Sequence, residues 1–285
     1  MKSVFINGLG LIGATMAKII KASNPDTIIT AHDTNPNNID YMVQEGIVDH
    51  GVDFATGAKQ ADLILLATPV SIICQSLADL TELKLKDGVL VTDVGSSKQP
   101  IMAAAHHLMD QGVHFLGGHP MAGSHLTGSQ HSDVSRFINH SFFLVNGNAS
   151  DSEITAYKDL LKTGQLSFSA LTAAQHDQLV SATSHLPHLA AFALANTIIP
   201  EVDAMPINPG IPSGGLLDTT RVAKADPTMW TAIFTSESEE LLEQLDHFEK
   251  QLNILKEAIQ KQDGQTLQTE LKAANQARLK LEEFK

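Results

Sequence analysis

Residues 2–13 of the chain, KSVFINGLGLIG, decide the fold. Their apolar first half predicts a buried strand, and the helical spacing of the apolar residues in 14–21 predicts a helix directly after the glycines. A second strand is predicted at 27–31, and Asp33 stands just beyond its end. A strand, a glycine loop, a helix, a strand and an acid in this order indicate a dinucleotide-binding unit, whereas a glycine motif alone is weak evidence.

The glycines and the acid have separate predicted roles. Gly8 makes the tight turn, Gly10 lets the backbone reach a pyrophosphate, and Gly13 lets the helix pack on the strand. The helix N-terminus offers amide hydrogens to the phosphates. Asp33 can accept hydrogen bonds from a ribose 2′-hydroxyl but would repel a 2′-phosphate, and Lys59 is the only lysine or arginine before the next predicted strand. The pattern favours NAD over NADP; the alternative is a solvated acid at a strand end.

Strands and helices continue to alternate up to residue 170. Such alternation is typical of a doubly wound, largely parallel sheet that binds ligands at the carboxyl ends of its strands. We therefore predict an α/β Rossmann domain over residues 1–170. Thr68 and Pro69 are expected to line its cofactor cleft. Further strands are predicted at 61–67, 88–93, 113–116, 141–145 and 166–170, and further helices at 71–83, 100–111 and 152–162.

After residue 170 the strand signals nearly stop, so we predict an all-α C-terminal domain over residues 171–285. The apolar stripe of its last two helices suits either a core or a subunit interface. The predicted elements are a long helix over 172–199 interrupted at Pro187, a proline-rich loop at 200–212, a helix that starts at Asp226 and Pro227, and a hairpin of two helices joined around Asp263 and Gly264.

The composition limits the possible partners. The chain has 285 residues, of which 43% are hydrophobic and 18% charged, and its formal net charge is -13. So acidic a chain argues against nucleic-acid or anionic-membrane binding, and an anionic substrate must be held by a local positive pocket. Cys74 is the only cysteine, which allows no internal disulfide and favours a reducing, cytoplasmic location. The N-terminal apolar run suits a strand better than a signal peptide, and no stretch approaches the roughly 18 apolar residues of a membrane span.

Candidate chemical groups follow the ends of two predicted strands. The segment 117–125, GGHPMAGSH, is rich in glycine and proline, and it is expected to leave the preceding strand as a loop. His119 in this segment is the candidate acid/base, and the alternative is a structural histidine in a tight turn. Ser96 and Lys98 follow the strand at 88–93. Because parallel strands end at one edge of a sheet, we expect the three side chains to converge.

The helical half adds a histidine pair and an arginine. His185 and His188 lie three positions apart beside a proline, and three interpretations remain open: surface or core histidines, a metal pair, or a substrate-binding pair. A pair without a third ligand is poor evidence for a metal, and we expect none. Arg221, one of three arginines, suits a planar grip on a carboxylate, and the alternative is a surface ion pair with Asp218. Trp230 would by default be core, and most of the 13 histidines are assigned to the surface.

These residues carry a resemblance to a known family. Five motifs carry it, in the family's order: GLGLIG at 8–13, DVGSSK at 93–98, GGHPMAG at 117–123, SHLPH at 184–188 and GGLLDTTRVAKADPTMW at 214–230. Through them the chain resembles the prephenate/arogenate dehydrogenase family over nearly its whole length. The resemblance implies a Rossmann domain, a helical C-terminal domain, NAD as cofactor, a small-molecule substrate and a homodimer formed through the C-terminal helices. We expect no fused regulatory or chorismate mutase domain.

The resemblance also implies roles for individual residues. His119 matches the catalytic histidine that hydrogen-bonds the ring hydroxyl of the substrate, Ser96 matches the serine that orients it, and Arg221 matches the arginine that grips a carboxylate. The other substrate residues are expected to be His188 and His185 near the pyruvyl side chain, Asp218 and Trp230 as pocket walls, Lys98 and His125. The cofactor residues are expected to be Gly8, Leu9, Gly10, Leu11, Ile12, Gly13, Asp33, Thr68 and Pro69.

The implied reaction is the NAD-dependent oxidative decarboxylation of prephenate to 4-hydroxyphenylpyruvate, with release of carbon dioxide and NADH, in tyrosine biosynthesis. Some relatives carry an acid at the position of His125; a histidine does not favour the ammonium of arogenate and, if protonated, favours the more anionic prephenate. The alternatives are an arogenate dehydrogenase, a wider NAD-dependent hydroxy-acid dehydrogenase, and a non-catalytic NAD-binding redox sensor. A sensor would have no need of Ser96, His119 and Arg221 together.

Overall fold

The computed structural model describes residues 1–123, 126–204, 214–236 and 238–283. One sheet organises the first part of the chain, with the strand order β3-β2-β1-β4-β5-β6-β7-β8. The chain proceeds outwards from β1 in both directions, so the predicted doubly wound sheet is confirmed. The strands are Ser3–Asn7 (β1), Ile28–His32 (β2), His50–Gly51 (β3), Leu63–Leu66 (β4), Leu90–Asp93 (β5), His114–Pro120 (β6), Ser141–Asn146 (β7) and Ser167–Ala170 (β8).

The strand register brings the carboxyl ends of the central strands together. The parallel pairs align Asn7 with Leu66, and Leu66 with Asp93, so β1, β4 and β5 end side by side. Strand β6 runs parallel to β5, whereas β7 is antiparallel to β6 and parallel to β8. The sheet is therefore largely parallel, and the loops after β1, β4 and β5 share one edge.

Helices cover both faces of the sheet. Residues of β1 alternate between two apolar clusters, with Ile6 on one face and Phe5 on the other. Burial on both faces removes the strands from water and fixes the positions of their ends. The helices are Leu11–Ser23 (α1), Pro36–Gln44 (α2), Phe54–Gln60 (α3), Val70–Thr81 (α4), Gln99–Asp110 (α5) and Asp151–Leu160 (α6); α2, β3 and α3 lie where no element was predicted.

The expectation that the segment after residue 116 leaves the sheet as a loop is wrong for residues 117–120. Strand β6 continues to Pro120, because Gly118, His119 and Pro120 pair with 142–144 of β7. The glycine allows this close packing, since a Cβ on Gly118 would lie 2.7 Å from the backbone oxygen of Asp93. Pairing with a neighbouring strand outweighs the local breaking tendency of glycine and proline. His119 is therefore held in a paired strand.

After β8, the described elements are helical, which confirms the predicted all-α second part. The interruption before Pro187 is a π-helical segment over 181–185, in which the Leu186 amide donates to the Ser181 carbonyl. The loop expected from residue 200 is wrong at its start, because the helix runs on through the exposed Pro200, and 205–213 lie outside the described residues. The helices are Ala173–Val180 (α7), Leu186–Asp203 (α8), Gly214–Thr220 (α9), Pro227–Ser236 (α10), Ser238–Gln260 (α11) and Gly264–Glu282 (α12).

Aspartates cap the helix predicted to start at Asp226 and the second helix of the hairpin predicted around Asp263. The Met229 amide donates to Asp226 at 2.7 Å at the start of α10, and Asp263 accepts the amide of Thr266 at 3.0 Å at the start of α12. By its contacts the chain divides into two compact units, Met1–Glu237 and Ser238–Lys285, so α7 to α10 belong to the unit of the sheet. The predicted domain boundary between 170 and 171 stays a prediction. Within the described ranges, no helix combines the length and the apolar character that crossing a membrane would require.

Candidate active site

The loop after β1 is shaped by its glycines. Gly8 has a φ of +99°, and a Cβ on it would lie 2.6 Å from the carbonyl oxygen of Ala67. A Cβ on Gly13 would lie 2.0 Å from the carbonyl oxygen of Gly8, so α1 can approach this turn only with glycine at this position. A Cβ on Gly10 would meet no atom within 4 Å. The space beside Gly10, at the N-terminus of α1, is open to a phosphate-bearing ligand.

Asp33 lies next to this loop, one residue beyond β2. Its Oδ2 accepts the Leu9 amide at 2.6 Å, and its Oδ1 accepts the Asn35 amide at 2.7 Å. The two bonds orient the carboxylate, and each oxygen keeps a lone pair for a further donor such as a ribose hydroxyl. Asp33 is thus held to the glycine loop by the backbone of the loop itself.

The remaining predicted cofactor residues surround the same turn. Leu11 and Ile12 form the partly exposed first turn of α1, and Pro69 precedes α4 as an exposed cap. A Cβ on Gly8 would lie 2.9 Å from Thr68 Cγ2, and the buried Thr68 Oγ1 has no hydrogen-bond partner in the described part of the chain. Free helix amides, open space and an oriented acid fit the phosphates and ribose of a dinucleotide.

A chain of hydrogen bonds leads from His119 into the protein. His119 is partly exposed in β6, and its Nδ1 lies 2.8 Å from His176 Nε2. The other ring nitrogen of His176, Nδ1, lies 2.7 Å from Oδ1 of Asp177, and both of these residues are buried. The Asp177 carboxylate also accepts the backbone amides of Lys98 and Gln99, each at 2.7 Å. A partly exposed imidazole is thereby connected to a buried carboxylate.

The surroundings keep His119 uncharged near neutral pH. Removal from water lowers the pKa of His119 well below its ordinary value, and His176, Lys98 and His185 lower it further. Burial would raise the pKa of Asp177, but hydrogen bonds from His176 and the two amides bring it below its ordinary value. A neutral, partly exposed imidazole can accept a proton, which is the requirement for a general base.

Lys98 points into the protein. Its ammonium pairs with Asp93, and neither side chain has exposed surface. Asp93 also accepts the amides of Gly95 at 2.7 Å and Gly118 at 3.3 Å. This placement argues against the substrate contact predicted for Lys98, because its charge is compensated inside the protein. Lys98 instead holds the ends of β5 and β6 together.

Ser96 lies in the loop after β5 and is partly exposed. In the part of the chain that the structure describes, Nδ1 of His119 is hydrogen-bonded to His176, not to this serine. The next residue, Ser97, is buried and its hydroxyl lies 3.1 Å from that of Ser236 in α10, which ties the loop to the helical segment. The orienting role of Ser96 stays a prediction.

His185, His188 and Trp230 form an aromatic cluster. The ring of His188 stacks on the indole with centroids 3.8 Å apart, and His185 meets it edge-on at 5.8 Å. His188 Nδ1 donates to the carbonyl of Ser184 at 2.9 Å, so its Nε2 is an acceptor in the neutral ring. Burial lowers the pKa of His188, and the charges of His185 and the exposed Arg221 lower it further. The hydrogen bond to Ser184 acts in the opposite direction and raises this pKa.

The cluster adjoins the candidate base. The charge of His185 lowers the pKa of both His119 and His188, so His185 lies near both rings. Arg221 acts on His188 from the turn after α9. His185 therefore lies near both His119 and His188, Arg221 lies near His188, and Trp230 contacts the His188 ring directly.

The two remaining predicted substrate residues are Asp218 and His125. Asp218 is exposed on α9, and no ion pair with Arg221 occurs among the described residues, so the surface-pair alternative for Arg221 finds no support. His125 lies outside the described residues. Over those same ranges there is no group of three or more side chains suited to hold a metal ion.

Sequence analysis missed His176 and Asp177, which were assigned to the surface or left without a role. A weak signal was present, because His176 precedes the buried Val180 by one helical turn and Asp177 precedes the buried Ser181 in the same way. This spacing places both residues on a buried helix face. It does not reveal that the face lies against β6.

Comparison with known proteins shows which family the chain is similar to. Residues 16–166 match the family model of the prephenate dehydrogenase nucleotide-binding domain, and residues 172–273 match that of the prephenate dehydrogenase dimerization domain. The prephenate dehydrogenase of Lactococcus lactis subsp. cremoris is 36% identical over 274 residues, which are 94% of this chain and 74% of that protein.

Solved structures of similar proteins superpose on this chain along nearly its whole length. Prephenate dehydrogenase from A. aeolicus, in complex with hydroxyphenyl propionate and NAD+, superposes with a TM-score of 0.87 at 30% identity, covering 99% of this chain and 98% of that one. Synechocystis arogenate dehydrogenase superposes with a TM-score of 0.80 at 26% identity, covering 98% and 99%. Because the two family models together match most of the chain, and a relative of this identity extends along nearly all of it, the chain belongs to the prephenate dehydrogenase family.

Proposed function

We propose that this chain catalyses the NAD-dependent oxidative decarboxylation of prephenate to 4-hydroxyphenylpyruvate, with release of carbon dioxide and NADH, in tyrosine biosynthesis. The observation that carries the proposal is the ring of His119, which is held in a paired strand and hydrogen-bonded through Nδ1 to His176. It lies at the edge of the sheet that also carries the glycine loop. Oxidation of a carbon that bears a hydroxyl needs a base for the hydroxyl proton and an acceptor for the hydride.

The proposed reaction uses a base for the hydroxyl proton and an acceptor for the hydride. The substrate is a dianion with a ring hydroxyl opposite a ring carboxylate. His119 takes the hydroxyl proton as the hydride leaves the same carbon. The ring carboxylate then departs as carbon dioxide, and the electron pair of the broken bond completes the aromatic ring, whose oxygen recovers a proton. Aromatisation makes the step downhill, and a positioned base contributes about 10²–10⁴-fold to the rate.

The glycine loop, α1 and Asp33 would hold the cofactor. The amides at the start of α1 and the open space at Gly10 suit the pyrophosphate, and Asp33 suits the ribose hydroxyls. When bound, NAD supplies the carbon that accepts the hydride. Substrate binding needs a local cation in this acidic chain, and Arg221 is exposed beside His188 with a guanidinium free of ion pairs in the described ranges.

A second candidate substrate is arogenate, which has an ammonium in place of the keto group of prephenate. One observation favours it: His188 donates through Nδ1 to Ser184, so the neutral ring offers only an acceptor at Nε2. An acceptor suits an ammonium better than a keto oxygen. Against this stands His125, a histidine where some relatives carry an acid.

The test is NADH formation, followed by absorbance, with NAD and either prephenate or arogenate. The proposal expects turnover of prephenate with a kcat/KM above that for arogenate. The reverse order would make arogenate the substrate, and absence of turnover with both would refute the proposal.

We further infer a homodimer formed through the C-terminal helices. Helix α12 has no buried residue, and it exposes Leu271 by 62% and Leu281 by 58%; Ile259 of α11 is 64% exposed. Large apolar side chains that are this exposed favour coverage by a partner. Light scattering should give twice the chain mass, and Leu271→Asp should give the monomer mass, whereas the control Gln268→Asp on the same helix should leave the dimer intact.

A cytoplasmic location is part of the proposal. It is supported by Cys74, which as the only cysteine leaves no internal disulfide for an oxidising compartment to form. Fractionation of the cells that produce the protein would test it, since recovery outside the cytoplasmic fraction would contradict it.

A further inference from the structure

The buried pair behind His119 determines which of its ring nitrogens is free. An ionised carboxylate only accepts hydrogen bonds, so Asp177 requires the proton of His176 to sit on Nδ1. In the neutral ring, Nε2 of His176 is then an acceptor. Because Nδ1 of His119 is its partner at 2.8 Å, the proton of His119 must also sit on Nδ1. The Nε2 of His119 is left with an unprotonated lone pair.

We propose that His176 and Asp177 are positioning residues that hold His119 in the tautomer whose Nε2 lone pair takes the hydroxyl proton of the substrate. This inference rests on the proposed function, since it assigns the residues that prepare its base. Neither residue touches the substrate, because both are buried behind His119. They act through one hydrogen-bonded chain that ends at the Asp177 carboxylate.

The Asp177 carboxylate, at the end of this series of hydrogen bonds, is itself fixed in position. Asp177 accepts the amides of Lys98 and Gln99 at the N-terminus of α5, where the helix dipole favours a negative charge. The carboxylate therefore stays ionised, and the backbone amides of Lys98 and Gln99 fix its position. Phe143, which is paired with His119 across β6 and β7, packs edge-on against the His176 ring at 5.7 Å. The orientation of the His176 ring is therefore restricted by Asp177 and by Phe143.

Among the described residues, the hydrogen-bond partner of His119 Nδ1 is His176. The ammonium of Lys98 is paired with Asp93, and His185 belongs to the aromatic cluster with Trp230. When His119 takes a proton, its positive charge lies at one end of a chain whose other end is the Asp177 anion. This arrangement stabilises the charged state at the moment it forms, as the orienting carboxylate does in other histidine-based sites.

Two substitutions of His176 separate positioning from simple packing. In His176→Asn the amide can still donate to Asp177, but it is too short to accept from His119. In His176→Gln the longer side chain brings an amide oxygen close to the position of Nε2 and restores an acceptor. We expect kcat to fall by about 10²-fold or more in the Asn variant and to recover by about tenfold or more in the Gln variant, with little change in KM. His107→Asn, at an exposed histidine of α5, is the matched control with unchanged kcat.

The tautomer is observed directly by nitrogen NMR of protein labelled with ¹⁵N-histidine. In the wild type we expect His119 to show a protonated Nδ1 and an unprotonated Nε2, and in His176→Asn a mixture of tautomers. A wild-type His119 protonated at Nε2 would overturn the proposal, and so would a wild-type kcat in His176→Asn. Equal losses in the Asn and Gln variants, with the wild-type tautomer kept in both, would also reject it. The NMR result does not depend on the substrate, so a failure of the proposed reaction would appear separately as a wild type without turnover.

Discussion

The substitution His119→Asn removes the proposed base while leaving its support in place. The Asn amide nitrogen takes nearly the position of the imidazole Nδ1, so it can donate to His176 Nε2 and keep the bond that measures 2.8 Å in the native protein. Only the Nε2 side of the ring is lost. His119→Leu, by contrast, removes both nitrogens and leaves the buried His176 without its partner.

The two variants should therefore differ in stability but not in chemistry. Loss of a positioned base lowers kcat by about 10²–10⁴-fold, which is about 2.7–5.5 kcal/mol of activation free energy. Both variants should show this loss with little change in KM. An unsatisfied buried group costs about 1–3 kcal/mol, so His119→Leu should lower the free energy of unfolding by that amount and His119→Asn by less.

The assay is steady-state NADH formation with prephenate, combined with denaturant unfolding. In the wild type, the logarithm of kcat/KM should stay flat as the pH falls through the ordinary histidine value of about 6.5, because the pKa of His119 lies well below its ordinary value. The unfolded chain then binds a proton that the folded state does not, so the His119 contribution to stability should decrease as the pH falls below that value. A His119→Asn enzyme with the kcat of the wild type would refute the role of His119 as base.

Three further predictions concern the neighbouring parts of the site. Arg221→Gln should raise KM for the acid substrate by about tenfold or more, which is about 1.4 kcal/mol, whereas Arg136→Gln should not; equal KM values would remove Arg221 from the substrate site. Asp33→Asn keeps an acceptor for the loop amide but removes the charge, so the ratio of kcat/KM for NADP to that for NAD should rise by about tenfold, and a constant ratio would contradict the proposed selectivity. Gly118→Ala places a Cβ 2.7 Å from a backbone oxygen and should lower the free energy of unfolding by about 1–3 kcal/mol, whereas Gly123→Ala, in open space, serves as the neutral control; a Gly118 variant as stable as the control would reject this reasoning.

Much of the nucleotide-binding half could be predicted because its signals are local. The strand, the turn at Gly8 and the helix that begins at Leu11 are encoded within a dozen residues, and the structure reproduces their order. Helix starts at Asp226 and Asp263 follow from side chains that cap amides two or three residues away. Each of these interactions is decided by residues that are close in sequence.

Errors occurred where distant residues compete with local preference. The glycines and the proline of 117–120 predict a loop, but antiparallel pairing with β7 keeps them in the sheet. Pro200 predicts a break, but it lies at an exposed position where the helix tolerates one missing hydrogen bond. Lys98 was expected to face a ligand, but the buried Asp93 takes its ammonium.

The sequence by itself determined the fold class and the cofactor type, because these depend on motifs with fixed local spacing, and it pointed to His119 as the proposed base. The tertiary structure alone decided how the ring of His119 is held. His119 and His176 are 57 residues apart in sequence, and only the packing of α7 against β6 and β7 brings Nδ1 of His119 to 2.8 Å from Nε2 of His176. A hydrogen bond requires partners at a defined distance and direction, and for residues on separate elements that geometry is a property of the folded chain.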